Sequence, residues 1–168
     1  MKKLTNLNEV LTFHLEGLYD AEKKLQHAIP TCSESLRLGA LRDEIKKYGE
    51  RATEKRSKLK RIFSYLLVQP FKRKNNVINS LLKDTHDMLD HAATDHLREI
   101  VLLACIQSIN HYKIAGYNTA LAFALELNLD TVADLLHEIL EWEKATNAAL
   151  TKIAFEEVNK KISPSVAS

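Results

Sequence analysis

Glu22 and Glu143 are the two acids of this sequence that combine metal-binding chemistry with a place on a buried helical stripe. Counting along the stripe from Leu18 to Leu25 puts Glu22 on the core face, and the run Leu136, Ile139, Glu143, Thr146 or Asn147, Leu150 does the same for Glu143. A second seam passes Ile45, Tyr48, Ala52, Lys55 and Leu59. Another runs Ile100, Leu103, Gln107, Asn110, Ile114, Tyr117 and Leu121. A carboxylate in such a place needs a cation or a proton, because burial disfavours its charged form. Two chemistries are open. Glu22 and Glu143, on separate helices, could bridge a metal; or they could pair with Lys55 while Tyr48, Gln107 and Asn110 complete a hydrogen-bonded layer. Spacing favours the structural alternative.

Other chemistry-bearing residues lead less far. Histidines stand at 14, 27, 86, 91, 96, 111 and 137. The five-residue spacing of His86, His91 and His96 does not stack them on one helix face, so they read as solvated surface residues. His14, one turn before Leu18, reads as a hydrogen-bonded residue at the core edge. Cys32 and Cys105 lack CxxC spacing and read as core thiols. Tyr48, Tyr65, Tyr112 and Tyr117 read as core and interface packing. Four glycines form no phosphate-cradling loop, and no GxSxG motif is present.

The elements that position these residues are few and long, since four glycines and three prolines in 168 residues build few turns. Helical periodicity predicts a first helix from Thr5–Asn8 towards Pro30, where a kink or stop is expected. A second carries Leu38 to Leu66 and ends at Gln69-Pro70. Phe71 to Asn75 reads as a basic loop. A short helix holds Val77 to Leu89, and the polar stretch Asp90 to Asp95 leads to a long helix capped by Thr94 or Asp95. Asn128-Leu129-Asp130 breaks that helix, and Asp130 or Thr131 is expected to cap the last one, which ends before Ser163-Pro164. The fold class is therefore all-α, an up-down bundle of four long helices with one short helix in the middle connection. Residues 1–162 are expected to form one domain and 163–168 a loose tail.

No apolar run is long enough to span a membrane, and no apolar stretch follows Met1-Lys2-Lys3, so a cytoplasmic address is expected. The net charge of +2 conceals an asymmetry. Between Arg42 and Lys74 twelve bases face four acids, whereas acids dominate beyond Ala120. That segment could serve nucleic acid or an anionic surface; a basic helix lying beside an acidic one is the favoured explanation.

Three segments carry a family resemblance: Leu18-Tyr19-Asp20-Ala21-Glu22-Lys23-Lys24-Leu25, Asn110-His111-Tyr112-Lys113-Ile114-Ala115-Gly116-Tyr117 and Leu140-Glu141-Trp142-Glu143-Lys144-Ala145. The chain resembles the bacterial YciE/YciF-type ferritin-like proteins over roughly Leu7 to Ala154, as a divergent member. That resemblance implies a ferritin-like bundle, a stress-associated role and a homodimer. It also implies carboxylates and a histidine where the bundle helices meet. Glu22 and Glu143 keep that pattern; Tyr48 stands at the histidine position, and Asn110, Lys113, Trp142 and Asn147 stand where relatives carry acids.

A di-iron centre needs several carboxylates to balance two metal ions, and two glutamates do not suffice. Lys113 would repel a cation. The expected function is a non-enzymatic, dimeric structural or binding protein with a degenerate metal site and no cofactor. The alternative is a metalloprotein holding one iron or manganese ion at Glu22 and Glu143. Binding of nucleic acid through residues 42–74 is the third reading. Trp142 is expected to fill volume that a metal cluster would otherwise occupy.

Overall fold

The computed structural model describes residues 3–33, 36–70 and 73–162, with the backbone alone for residues 33 and 157–162. Five helices follow one another: α1 (Leu7–Ser33), α2 (Gly39–Tyr65), α3 (Asn76–His91), α4 (Asp95–Glu126) and α5 (Asp130–Ile162). No strand occurs among the described residues, and no helix among them is long and apolar enough to cross a membrane. The expected all-α, ferritin-like bundle is the observed fold.

The four long helices pack as antiparallel neighbours, α1 on α2, α4 on α5, α2 on α5 and α1 on α4. α3 lies along α4, and the middle connection that contains it returns the chain along the bundle, so α2 and α4 run in the same direction. Two apolar clusters fill the interior. One joins Leu11, Leu15, Leu59, Ile62, Ala120, Val132 and Leu136; the other joins Leu25, Ile29, Leu41, Ile45, Ile106, Ile109 and Leu150. The polar layer lies between them.

Close helix approach depends on two glycines. A Cβ at Gly116 would stand 2.8 Å from Leu18 Cδ2, and one at Gly49 would stand 2.8 Å from Ile29 Cγ2. Hydrogen at these positions lets α1 sit against both α4 and α2.

Several boundaries differ from expectation. Pro30 lies inside α1, which continues to Ser33. In the last turn it removes a single backbone donor, which the ordered helix tolerates. α2 ends at Tyr65, well before Pro70. Val68 N–H donates to Phe63 O and Leu67 N–H to Ser64 O, a Schellman stop with Leu67 at φ 55°. α4 ends the same way, with Asn128 at φ 54°. Asp130 and Thr131 do not precede α5; they form its first turn, where the acid meets the positive helix end. Thr94, of the two candidates, caps α4 by accepting from Leu97 N–H. The linker before α4 shrinks to residues 92–94, because α3 extends to His91.

The middle connection is pinned to α1. Asn75 caps α3 by accepting from Ile78 N–H, donates through Nδ2 to Gly17 O at 2.8 Å, and shares a hydrogen bond with Tyr112. Its own N–H donates to Asp20. Arg73 donates to Phe13 O and lies over the Phe13 ring. Of the expected basic loop, Phe71 and Lys72 lie outside the described residues, as does the expected tail, 163–168. At the other end of the bundle Glu99 is buried and accepts from Arg37 and Leu38 N–H. A carboxylate of α4 thereby caps α2, whose own N-cap residue, Leu38, makes no side-chain cap.

Candidate functional site

Each long helix brings polar side chains to one layer at mid-bundle: Glu22 from α1, Tyr48 and Lys55 from α2, Asn110, Lys113 and Tyr117 from α4, and Glu143 from α5. All seven are 0–1% exposed. Heptad-like spacing explains the geometry. Tyr48 and Lys55 lie seven residues apart on one face of α2, while Asn110, Lys113 and Tyr117 step by three and four along α4.

Lys113 is the centre of the network. Its Nζ stands 2.7 Å from Glu22 Oε1 and 2.7 Å from Glu143 Oε1, and it donates to Tyr48 Oη at 3.1 Å. Three oxygens from three helices thus surround the ammonium, which has three N–H groups to offer. Lys55 Nζ also donates to Glu143 Oε1. Asn110 Nδ2 donates to Glu143 Oε2 at 2.6 Å and to the Glu143 carbonyl. Tyr117 Oη donates to Glu22 Oε1 at 2.7 Å. Both ammonium groups lie 4.6 Å from the Tyr48 ring centroid, so the ring face adds a cation–π contact to each.

The charges balance, two carboxylates against two ammoniums, and each state follows from its neighbours. Burial alone would pull Lys113 down, but Glu143 and Glu22 outweigh it and hold the ammonium well above its ordinary range. For Glu143 burial pushes up, while Lys113 and Lys55 prevail and keep it below the usual carboxylate value. Lys55 is held below its ordinary value by burial and by the Lys113 charge. Tyr48 and Tyr117 are pushed up by burial and the surrounding carboxylates, so both remain neutral hydroxyls, Tyr48 accepting from Lys113 and Tyr117 donating to Glu22.

The fit to a metal is poor. Glu22 Oε1 and both Glu143 oxygens already accept from protein donors, which leaves Glu22 Oε2 as the carboxylate oxygen without a partner. Asn110 turns its amide nitrogen, a donor, towards Glu143, with Oδ1 facing away and unpartnered. The reverse orientation would set oxygen against two acceptors. Among the described residues no group of three or more His, Cys, Asp and Glu side chains converges as metal ligands would.

The sequence placed Glu22, Tyr48, Lys55, Asn110 and Glu143 in this layer, and they meet there. Gln107 does not join them. It is half-buried, and its amide donates to Thr151. His111 faces outward, and Asn147 is half-buried without a hydrogen bond to its Oδ1. Trp142 does not fill the centre. It lies half-buried at the α2–α5 seam, with Arg51 and Lys58 over its ring at 5.5 and 5.1 Å. One helical step of 100° separates it from Glu143, enough to turn it out of the layer. Tyr117, placed on the inward seam as packing, also meets the layer through its hydroxyl, and Lys113 completes the network in a place that periodicity did not assign. α4 touches α1, α5 and α3, so it is apolar on several sides and its pattern does not single out an inward face.

The remaining candidates fall elsewhere. His14 Nε2 hydrogen-bonds the Gly116 carbonyl at 2.9 Å, a core-edge role as expected. His86 and His91 are exposed, while His96 is half-buried. Cys105 is buried and Cys32 half-buried. Tyr65, expected to pack, is exposed at the end of α2. The basic segment lies partly against acidic α5: Lys58 pairs with Glu138, Lys55 with Glu143, and Arg56 turns to Gln26 and Tyr19 of α1.

Known proteins share this architecture. The chain is 27% identical over 159 residues to protein YciF of Escherichia coli K12, covering 94% of this chain and 96% of YciF. The crystal structure of the E. coli stress protein YciF superposes with a TM-score of 0.89 at 26% identity, covering 94% of this chain and all of that one. YcfI from Rhodopseudomonas palustris gives 0.86 at 25% identity, over 89% of this chain and 96% of its own. A protein of Xanthomonas campestris pv. campestris shares the fold alone, at 0.68 and 15% identity, over 92% and 99% of the two chains. A family model described as a domain of unknown function, DUF892, matches residues 6–163, and the chain belongs to that family.

Proposed function

We propose that this protein is a non-enzymatic, stress-associated bundle that acts as a homodimeric structural or binding protein, its metal centre converted into an ion-paired layer. One observation carries the reading: the Lys113 ammonium lies between the Glu22 and Glu143 carboxylates, where a bridging cation would otherwise stand. The layer is closed as well as occupied. Side chains that are 0–1% exposed cannot reach a substrate without opening the bundle. Likeness to the stress protein YciF supports the biological context.

The competing reading, a metalloprotein with one iron or manganese ion at Glu22 and Glu143, has the two acids in its favour. It requires a cation to enter beside two ammoniums. Recognition of nucleic acid would have to use the bases of α2 that its packing against α1 and α5 leaves over. Elemental analysis of untagged protein, with sedimentation equilibrium on the same sample, tests the proposal. A metal-free dimer is expected. Stoichiometric iron or manganese that disappears in Glu22→Gln would overturn it.

A further inference from the structure

We infer that the Lys113 ammonium is the resident cation of this centre: it excludes divalent ions, and its removal uncovers a site for one of them. The inference deepens the reading of a converted centre and rests on it.

The contacts of Lys113 are those of a bridging ion. A carboxylate oxygen from α1 and one from α5 lie at the same 2.7 Å, and the Tyr48 hydroxyl oxygen supplies a third contact. An ammonium delivers one positive charge along fixed N–H directions on a tether anchored in α4. A divalent ion accepts lone pairs from the same oxygens at about 2.0–2.2 Å. Cation and ammonium therefore compete for the same lone pairs.

Truncating Lys113 leaves Glu22 Oε1 with the Tyr117 hydroxyl as its one remaining donor and relieves Glu143 Oε1 of one of its two ammoniums. Glu22 Oε2 is already buried without a donor. Two carboxylates and one ammonium leave the emptied layer with a net charge of −1, which favours uptake of a cation into the volume the side chain vacates. Oxygen-rich donors of this kind suit manganese, and zinc serves as a second probe.

The test compares wild type, Lys113→Ala and Glu22→Gln/Lys113→Ala, each stripped with chelator, exposed to manganese or zinc chloride, desalted and assayed for bound metal and melting temperature. Wild type should retain no ion and melt unchanged. Lys113→Ala should retain about one ion per chain and gain several degrees on metal addition, since a ligand held only by the folded state stabilises it. The double variant should lose both effects. A folded Lys113→Ala protein that holds no more metal than wild type would overturn the inference while leaving the proposed function standing. A wild-type protein that holds one ion through Glu22 would sink both. If Lys113→Ala folds only with metal present, the inference is supported. If it folds in neither condition, manganese added to wild type decides: paramagnetic broadening of the Glu22 and Glu143 side-chain resonances refutes exclusion, and unbroadened resonances uphold it.

Discussion

Replacing Lys113 by Met removes one of two positive charges from a layer that has no access to water. Glu22 then retains the Tyr117 hydroxyl as its donor, while Glu143 keeps Lys55 and Asn110. Breaking a buried pair by deleting one partner costs about 3–5 kcal/mol, because the other charge is left uncompensated. Tyr48 also loses the ammonium it accepts from, worth roughly 1 kcal/mol. In a chain of this length each kcal/mol moves the melting temperature by about 2–4 °C, so a combined loss of about 4–6 kcal/mol predicts a fall of roughly 8–24 °C. Adding Glu22→Gln restores electroneutrality. The double variant should recover at least about half of the lost stability, since a buried pair removed as a unit costs far less than either half alone. Urea unfolding at neutral pH, followed by helical circular dichroism, measures Lys113→Met, Glu22→Gln and the double variant against wild type. If the single-variant losses simply add to within about 0.5 kcal/mol, the two residues are uncoupled and the ion-paired account of the layer is wrong.

Further perturbations probe other parts of the fold. Glu143 has a folded-state pKa below its ordinary 4.5, so its stabilisation is complete above about pH 4.5 and is lost as pH falls through the depressed value. Lys113 has the opposite sign: its contribution is complete below its ordinary 10.5 and is lost as pH rises through the elevated folded value. Melting temperature should therefore fall on strong acidification, and Lys113→Met should flatten that acid limb. Leu67→Gly should raise stability by about 0.5–1 kcal/mol in thermal unfolding, because Leu67 stands at φ 55° with 92% of its surface exposed and loses no packing. A destabilised variant would refute this account of the α2 stop. Asn75→Ala should cost about 2–3 kcal/mol in urea unfolding, through loss of the α3 cap and of the donor to Gly17 O. A change below about 0.5 kcal/mol would show that the middle connection does not depend on it.

The helices themselves were legible because α1, α2 and α5 each bury one face. Their apolar residues recur at three- and four-residue steps, and the polar residues on the same stripe, Glu22, Tyr48, Lys55 and Glu143, were carried inward with them. Helix ends were less legible. Pro30 reads as a kink or a stop and lies within α1, and the left-handed residue that ends α2 is a leucine, so no glycine marks it. The bonds made across the fold, Glu99 to the start of α2 and Asn75 to the Gly17 carbonyl of α1, join residues about sixty positions apart, which local patterning does not register.

The sequence by itself determined an all-α bundle and the presence of Glu22 and Glu143 at its centre, since helical period alone decides which side of α1 and α5 is buried. It did not determine what balances those acids. Lys113 lies on a helix bounded by three others, so its direction depended on how α1, α3 and α5 close around α4. Tertiary packing made that choice. It set the ammonium between two carboxylates from different helices, where desolvation makes charge balance compulsory, and so turned a ligand set into an ion-paired core.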